Sequence, residues 1–308
     1  MTDPTAPTGR LAPTLPPGYL ARPVTDGDLG EIHALVAAAQ APYGLTYTGP
    51  EDIAADLARP GLVRERDTVL VRDRAGAAAG WAWVERRSEV DVHPQHRGRG
   101  LGAALLDWVT ERGRQAGARA IVQSVPDGDT AAGALLRSRG YEPLETSWRL
   151  EFVPDGEPDV PGAPDGVTVR MFEPGDARAV HAVVEGAFEE WQGRRKDFGE
   201  WAAHTVDRTA FAPGMSALAF AGDELVGAVV ALALPDTAEG YVEQVAVRAD
   251  HRRRGIAGLL LRHTFRAFHR ADRPVCTLWT HSATGALGLY TGAGMTVRHS
   301  STVFRREW

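Results

Sequence analysis

The 308-residue chain has a single cysteine, Cys276. One thiol allows neither an internal disulfide nor a cysteine-based metal site. Set in the run "PVCTLWT", it reads as an inert core side chain on a buried strand, suited to a reducing compartment. Neither sign of charge is in large surplus: 34 Lys+Arg against 40 Asp+Glu leave a net −6. Overall charge therefore favours neither nucleic acid nor an anionic membrane as a partner. No apolar run approaches the ~18 residues that a membrane helix needs. The start, "MTDPTAPTGRLAPTLPPGY", has no apolar core of a signal peptide, so a disordered tail over 1–17 and a cytoplasmic location are expected. His204, His251, His263, His269 and His281 fall at no metal-ligand spacing, and no metal is expected.

What is present is a repeat. "GYLARPVTDGDLGEIHALVAAA" (18–39) and "GVTVRMFEPGDARAVHAVVEGA" (166–187) match at a constant offset. They share Gly18/Gly166, Arg22/Arg170, Gly27/Gly175, Asp28/Asp176 and His33/His181. Two Arg-Gly loops follow in the same order, then Gly140-Tyr141 against Gly294-Met295. A unit this long repeated once is a duplicated domain rather than a solenoid. "FVPDGEPDVPGAPDG", rich in proline and acid, reads as an extended spacer. The expected domains are 18–153 and 166–308, joined by a linker over 154–165.

In the second copy a short strand over 167–170 precedes a helix that starts near Asp176. "MSALAF", "ELVGAVVALAL" and "YVEQVAV" read as strands, the first two turning at Gly222-Asp223. Helices over 256–269 and 284–291 flank the strand "PVCTLWT", and 295–307 closes as a strand. Strands interleaved with amphipathic helices predict an α/β fold, a mixed sheet with helices on both faces.

The loops "HRGRGLGAALL" (96–106) and "HRRRGIAGLLL" (251–261) each set arginines and glycine against the start of an apolar helix. A helix start offers unpaired N–H groups and a positive dipole end, and small residues let an anion come close. The Gly-Lys-Ser/Thr of a Walker loop is missing from both. Gly98-x-Gly100-x-x-Ala103 fits a dinucleotide fingerprint only formally, and the second copy lacks it. A solvated basic turn is the plain alternative.

"VDVHPQHRGRGLGAALL" (90–106) and "VAVRADHRRRGIAGLLL" (245–261) resemble the (Gln/Arg)-x-x-Gly-x-(Gly/Ala) motif of the GNAT acyltransferase family. "ALGLYTGAGM" (286–295) resembles that family's second, helix-to-strand motif. Met295 replaces the usual aromatic, and Ala283 replaces an asparagine often found there. The resemblance implies two tandem GNAT-type domains, each a mostly antiparallel sheet with a splayed parallel strand pair. It implies acetyl-coenzyme A as acyl donor. Its pyrophosphate would lie on Arg252, Arg253, Arg254, Gly255, Ile256 and Ala257, with Val245, Ala246 and Val247 along the pantetheine and thioester. In the first copy Val90, Val92, Arg97, Gly98, Arg99, Gly100, Leu101 and Gly102 take the matching places.

Acyl transfer to an amine needs a base for the amine, donors for the oxyanion and an acid for the departing thiolate. Glu243 interrupts an apolar strand, where burial would raise its pKa toward that of a useful base. The resemblance gives Tyr290 the acid's place. Alignment on the arginine puts Ser88 opposite Glu243, and alignment on the glycine puts Leu136 opposite Tyr290; neither replaces the original. Glu85 and Asp91 are the nearby carboxylates. The expected division of labour places chemistry in the second copy. Trp191, Phe198 and Trp201, in an acid- and arginine-rich stretch, are candidates for contacting a small-molecule or peptide amine. The competing expectations are an acyl-coenzyme A sensor without chemistry, a longer acyl group, or a hydroxyl acceptor. Oligomeric state is left open.

Overall fold

The computed structural model describes residues 12–308 apart from 45–48, 60, 86, 191–193 and 235–236. Two compact units divide the chain: one runs to Thr146 and takes back His299–Trp308, and the other is Ser147–Arg298. The sequence repeat and the compact unit therefore divide the chain differently, because the last strand of each repeat is exchanged.

The first unit contains β1 (Leu20–Arg22), α1 (Leu29–Gln40), α2 (Pro50–Leu57), α3 (Arg64–Asp67), β2 (Thr68–Arg72), β3 (Ala78–Val84), β4 (Ser88–Val92), α4 (Leu101–Gln115), β5 (Ala120–Pro126) and α5 (Thr130–Ser138). The strand β6 (Glu142–Phe152) then carries the chain into the second unit. There follow β7 (Val167–Met171), α6 (Ala177–Phe188), α7 (Phe198–His204), β8 (Ala217–Ala221), β9 (Glu224–Ala233), β10 (Glu239–Val247), α8 (Ile256–Arg270), β11 (Val275–His281) and α9 (Leu287–Gly292). The strand β12 (Thr296–Glu307) returns to the first unit. Residues 153–165 form neither helix nor strand. No helix among the described residues is long and apolar enough to cross a membrane.

In the first unit β1–β4 form an antiparallel sheet in sequence order, while β5 pairs with Ser301–Glu307 of β12. In the second, Ser147–Phe152 of β6 pairs with β11, and the order continues β10, β9, β8, β7. All these pairings are antiparallel except β10 with β11. Both sheets are covered on both faces. One side of the second carries Val180, Val184, Trp201 and Leu218; the other carries Ile256, Leu260, Phe265 and Phe268. Covering on both sides explains why β9 reads as a near-continuous apolar run. In α8 the buried Ile256, Leu260, Thr264 and Phe268 recur every four residues, the stripe of an amphipathic helix. Full burial of a side chain such as Phe268 contributes about 1.5–3 kcal/mol.

The residues that repeat at constant offset build one local device twice. Arg22 clamps Asp28 through two bonds of 2.7 and 2.6 Å, and Arg170 clamps Asp176 through two of 2.6 and 2.7 Å. The same carboxylates accept the backbone N–H of Thr25 and Glu173, each at 2.7 Å. Each pair ties a first strand to the start of the helix after it. Its guanidinium bonds hold both aspartates below the usual carboxylate range. These matches are architectural, and none faces the site described next.

Candidate active site

The chain after β10 turns through a short 3₁₀ segment and starts α8 at Gly255. Gly255 has φ +78°, left-handed backbone that glycine adopts without strain, and no atom lies within 4 Å of where a Cβ would be. Gly100 repeats this before α4 with φ +85°, but there Pro16 stands 3.3 Å from the equivalent point. The second copy thus presents its helix start openly, and the first has its own N-terminal segment against it.

Of the arginines expected on a pyrophosphate, the structure turns three, Arg252, Arg97 and Arg254, toward protein. Arg252 donates to Val247 O at 3.3 Å and to Ala187 O at 3.0 Å, pinning the loop to the end of β10 and the end of α6. Arg97 repeats the arrangement with Val92 O and Ala39 O at 3.5 and 3.2 Å. Arg254 bonds His251 and Asp165 O. Arg253 lines the cavity, at φ +61°. The matching residue of the first copy is Gly98, at φ +72°. A side chain at such a φ costs on the order of 1 kcal/mol, so the second copy sustains strain to keep a cation there.

β10 and β11 pair only over Glu239–Tyr241 and Val275–Thr277 and then diverge. The cleft opened by this splay is part of a cavity of ≈ 410 Å³. Gly255 to Gly258, Val242 to Val247, Leu278 to His281 and Tyr290 line it. Along β10 the alternation of ladder bonds to β9 turns the backbone groups of Ala246 toward β9 and those of Val245 and Val247 toward the cleft. Of the second-copy residues expected on the cofactor, Val245 to Val247, Arg252, Arg253 and Gly255 to Ala257 line this cavity, and Arg254 does not. The fit to a coenzyme A chain is physical: an open helix start, a free strand edge and small side chains between them. Among the described residues no group of three His, Cys, Asp or Glu side chains is gathered as for a metal ion.

Glu243 owes its position to an irregularity. Val242 pairs with Ala231 and Gln244 with Val230, so Glu243 is the extra residue of a β-bulge. Both Glu243 and Gln244 then reach the α7 side, toward Arg208 at 3.7 Å and Trp201 Nε1 at 3.0 Å. Burial pushes the Glu243 carboxyl up, against the opposing pull of Arg208, Lys196 and His204. Tyr290, on α9, is buried and raised to about 12, so it keeps its proton at neutral pH. Thr284 accepts the Ala286 N–H at 3.2 Å in the turn before α9. Cys276 is buried and inert, its pKa raised above the range of thiolate chemistry.

The first copy has no bulge in β4. Glu89 and Asp91 stand opposite Trp83 and Trp81 in regular register. The structural partner of Gln244 is therefore Glu89, that of Val242 is Ser88, and Glu243 has no counterpart, which corrects the alignment drawn from the arginine alone. Ser88 donates to Val122 O at 3.1 Å, and Gln123 donates to Ser88 at 2.6 Å. Leu136, opposite Tyr290, is a core residue. β4 and β5 lie in different sheets, so the splayed pair expected of each copy is a parallel ladder only in the second. Of the aromatic candidates, Trp201 is buried in the core, Phe198 packs beside it at 6.0 Å between ring centres, and Trp191 lies outside the described residues.

Sequence reading passed over Glu89. Trp83 and Trp81 donate their indole N–H groups to Glu89 and Asp91 at 3.1 Å each. Desolvation still raises both carboxyls, and for Glu89 the charge of Asp91 adds to it. The folded state then binds more protons than the unfolded chain as pH rises above the usual carboxylate range of about 4. Stability present at low pH is lost toward neutrality and above. Glu89→Gln is expected to gain stability over the wild type as pH rises, by about 1–2 kcal/mol at pH ~8 and almost nothing at pH ~4. Urea unfolding at both pH values checks this, and a gain independent of pH would refute it.

An open helix start, a splayed strand pair, a carboxylate and a phenol thus line one cavity. The model of the Acetyltransferase (GNAT) family matches the chain twice, over 33–141 and 180–295, and the chain belongs to that family, as an acetyltransferase. A mycothiol acetyltransferase of Tsukamurella paurometabola is 33% identical over 285 residues, covering 87% of this chain and 92% of its own length. Another, from Thermobispora bispora, is 28% identical, covering 92% of this chain and 97% of itself. A GCN5-related N-acetyltransferase from Sphaerobacter thermophilus superposes with TM-score 0.78 at 31% identity, covering 96% of this chain and 97% of that one. A tandem GNAT protein from the clavulanic acid biosynthesis pathway shares the fold, with TM-score 0.65 at 17% identity over 94% and 98% of the two chains.

Proposed function

We propose that the chain moves the acetyl group of acetyl-coenzyme A directly to the amine of a small molecule, with the chemistry in the second copy. The carrying observation is that Glu243, Tyr290 and the open helix start at Gly255 line one cavity. The bound coenzyme would supply an acetyl thioester. Its phosphates would meet the α8 N–H groups and Arg253, and its pantetheine the edge of β10 at Val245 and Val247. Glu243 accepts the proton of the amine. Tyr290, protonated through burial, supplies one on the cofactor side. The N–H groups of Val245 and Val247 point into the cleft where the acyl oxygen needs donors. The first copy lacks the bulged carboxylate and has leucine in place of the phenol, so its contribution is structural or to cofactor binding. Relatives that match over nearly their full length are named for mycothiol, which makes the unacetylated form of mycothiol the first acceptor to assay.

Calorimetric titration of acetyl-coenzyme A tests this reading. Gly255→Glu sets a carboxylate at the helix start and is expected to raise Kd at that site by at least about 100-fold and to abolish transfer. Gly100→Glu reports whether the first copy contributes a second binding event. Binding and turnover that survive Gly255→Glu would overturn the assignment of chemistry to the second copy.

A further inference from the structure

One hydrogen bond beside the base has no part in proton transfer. The indole Nε1 of Trp201 donates to Gln244 Oε1 at 3.0 Å. An indole can only donate, so the bond fixes which end of the carboxamide is which: its oxygen faces α7 and its NH₂ group is turned away. Trp201 is 1% exposed and packs against His181 and Phe198, at 5.4 and 6.0 Å between ring centres. The side chain that orients Gln244 is thus itself held by the core.

Gln244 lines the cavity together with Glu243. Its Nε2 group is not buried, and no acceptor among the described residues takes its hydrogens. The bulge matters here. In a regular strand these neighbours would point to opposite faces, but both reach the α7 side, while Val245 and Val247 pack on the α8 side. A group that only donates therefore stands next to the base, on the side where the amine meets it. In the first copy an indole bond recurs from Trp83 to Glu89, but the group it holds is a carboxyl. The oriented amide belongs to the second copy.

We infer that Trp201 orients the Gln244 carboxamide as a specificity-determining donor, which reads an uncharged oxygen of the acceptor close to its amine. This rests on the acetyl-transfer reading and adds a requirement on the acceptor. Glu243 is ionised when it acts as base and then can only accept, so an oxygen beside the amine needs its donor from elsewhere. A neutral amide compensates no charge, which suits a carbonyl or hydroxyl oxygen better than a carboxylate. Adjacent side chains on one side of a strand meet groups a few bonds apart. The oxygen accordingly sits on the carbon next to the one that bears the amine.

Three amines of one size test this: alaninamide with a carbonyl, alaninol with a hydroxyl, and 2-aminobutane with neither. The wild type is expected to favour at least one oxygen-bearing amine over 2-aminobutane in kcat/KM. The amines differ in basicity, so the deciding quantity is the change in that ratio on substitution. Gln244→Leu should lower it about 5- to 20-fold, the effect of an oxygen left without its hydrogen bond, and the amine whose advantage falls identifies the oxygen. Gln244→Glu replaces the donors by an acceptor and should lower the ratio as well. Trp201→Phe removes only the indole N–H and should lower it by less. Ratios unmoved in all three variants, with every amine slowed alike, would overturn the inference and leave the pair a structural role. If none of the three is acetylated, their titration with coenzyme A present decides instead. Tighter binding of an oxygen-bearing amine, lost in Gln244→Leu, supports the inference, and equal binding overturns it. Failure to acetylate these amines and the first acceptor named above would be a failure of the acetyl-transfer reading, separate from either result.

Discussion

Glu243→Gln is expected to lower kcat by about 10²- to 10⁴-fold, the range for loss of a positioned base. The affinity for acetyl-coenzyme A should stay within about twofold, because the amide keeps the size of the side chain and the loop at Gly255 is untouched. The pH profile makes the prediction specific. Burial raises the Glu243 pKa, and the carboxyl must be ionised to accept a proton, so activity falls as pH drops through that raised value. The variant should lose this acidic limb along with the rate. Residual activity in Glu243→Gln with an unchanged acidic limb would assign the base elsewhere. The phenol of Tyr290, at about 12, titrates far above this limb and does not confuse it.

The second large effect is on stability. A Cβ built on Gly240 would stand 2.4 Å from Phe268 Cδ1 and 2.5 Å from two further ring atoms. Phe268 is fully buried, so the ring has no solvent to move into. Gly240 also pairs with Cys276, near the last rung before β10 and β11 diverge. Gly240→Ala is expected to cost about 1–3 kcal/mol through overpacking, and Gly240→Val more. In urea the midpoint should fall with the slope unchanged. Phe268→Leu added to Gly240→Ala should recover part of the loss relative to the two single changes, a coupling expected of residues in contact. Strictly additive effects would refute the clash.

Much of this was legible in the sequence. The constant offset that joined Arg22 to Arg170 and Asp28 to Asp176 marked the duplication, and the structure shows those matches as one ion pair made twice. The glycines before the two apolar helices pointed to helix starts left clear for an anion. The bulge was not legible. One extra residue in a strand leaves the apolar alternation around it intact, so matching on the arginine placed Ser88 opposite Glu243, and only the pairing to β9 separates them. The raised proton affinity of Glu89 and Asp91 was hidden for a related reason. "SEVDV" reads as a half-exposed strand and its acids are half-buried, but nothing in that pattern names Trp83 and Trp81 on β3 as the groups that face them. The direction of the arginines was equally invisible, since a charged run gives no sign of which guanidinium a backbone carbonyl will hold. The exchange of last strands lay beyond reach as well, because β6 and β12 carry similar patterns and periodicity does not name a partner.

That exchange sets a timetable for synthesis. Thr302 of β12 bonds Asp127 at the end of β5 across 175 residues of chain. At about 5–20 residues per second, the ribosome takes about 10 to 35 s to cover that distance. Throughout, β5 waits as an open edge, the kind of strand that recruits a wrong neighbour. The later unit has its six strands translated before the earlier one receives its last. The unit whose helix start is covered by Pro16 is therefore the later of the two to mature.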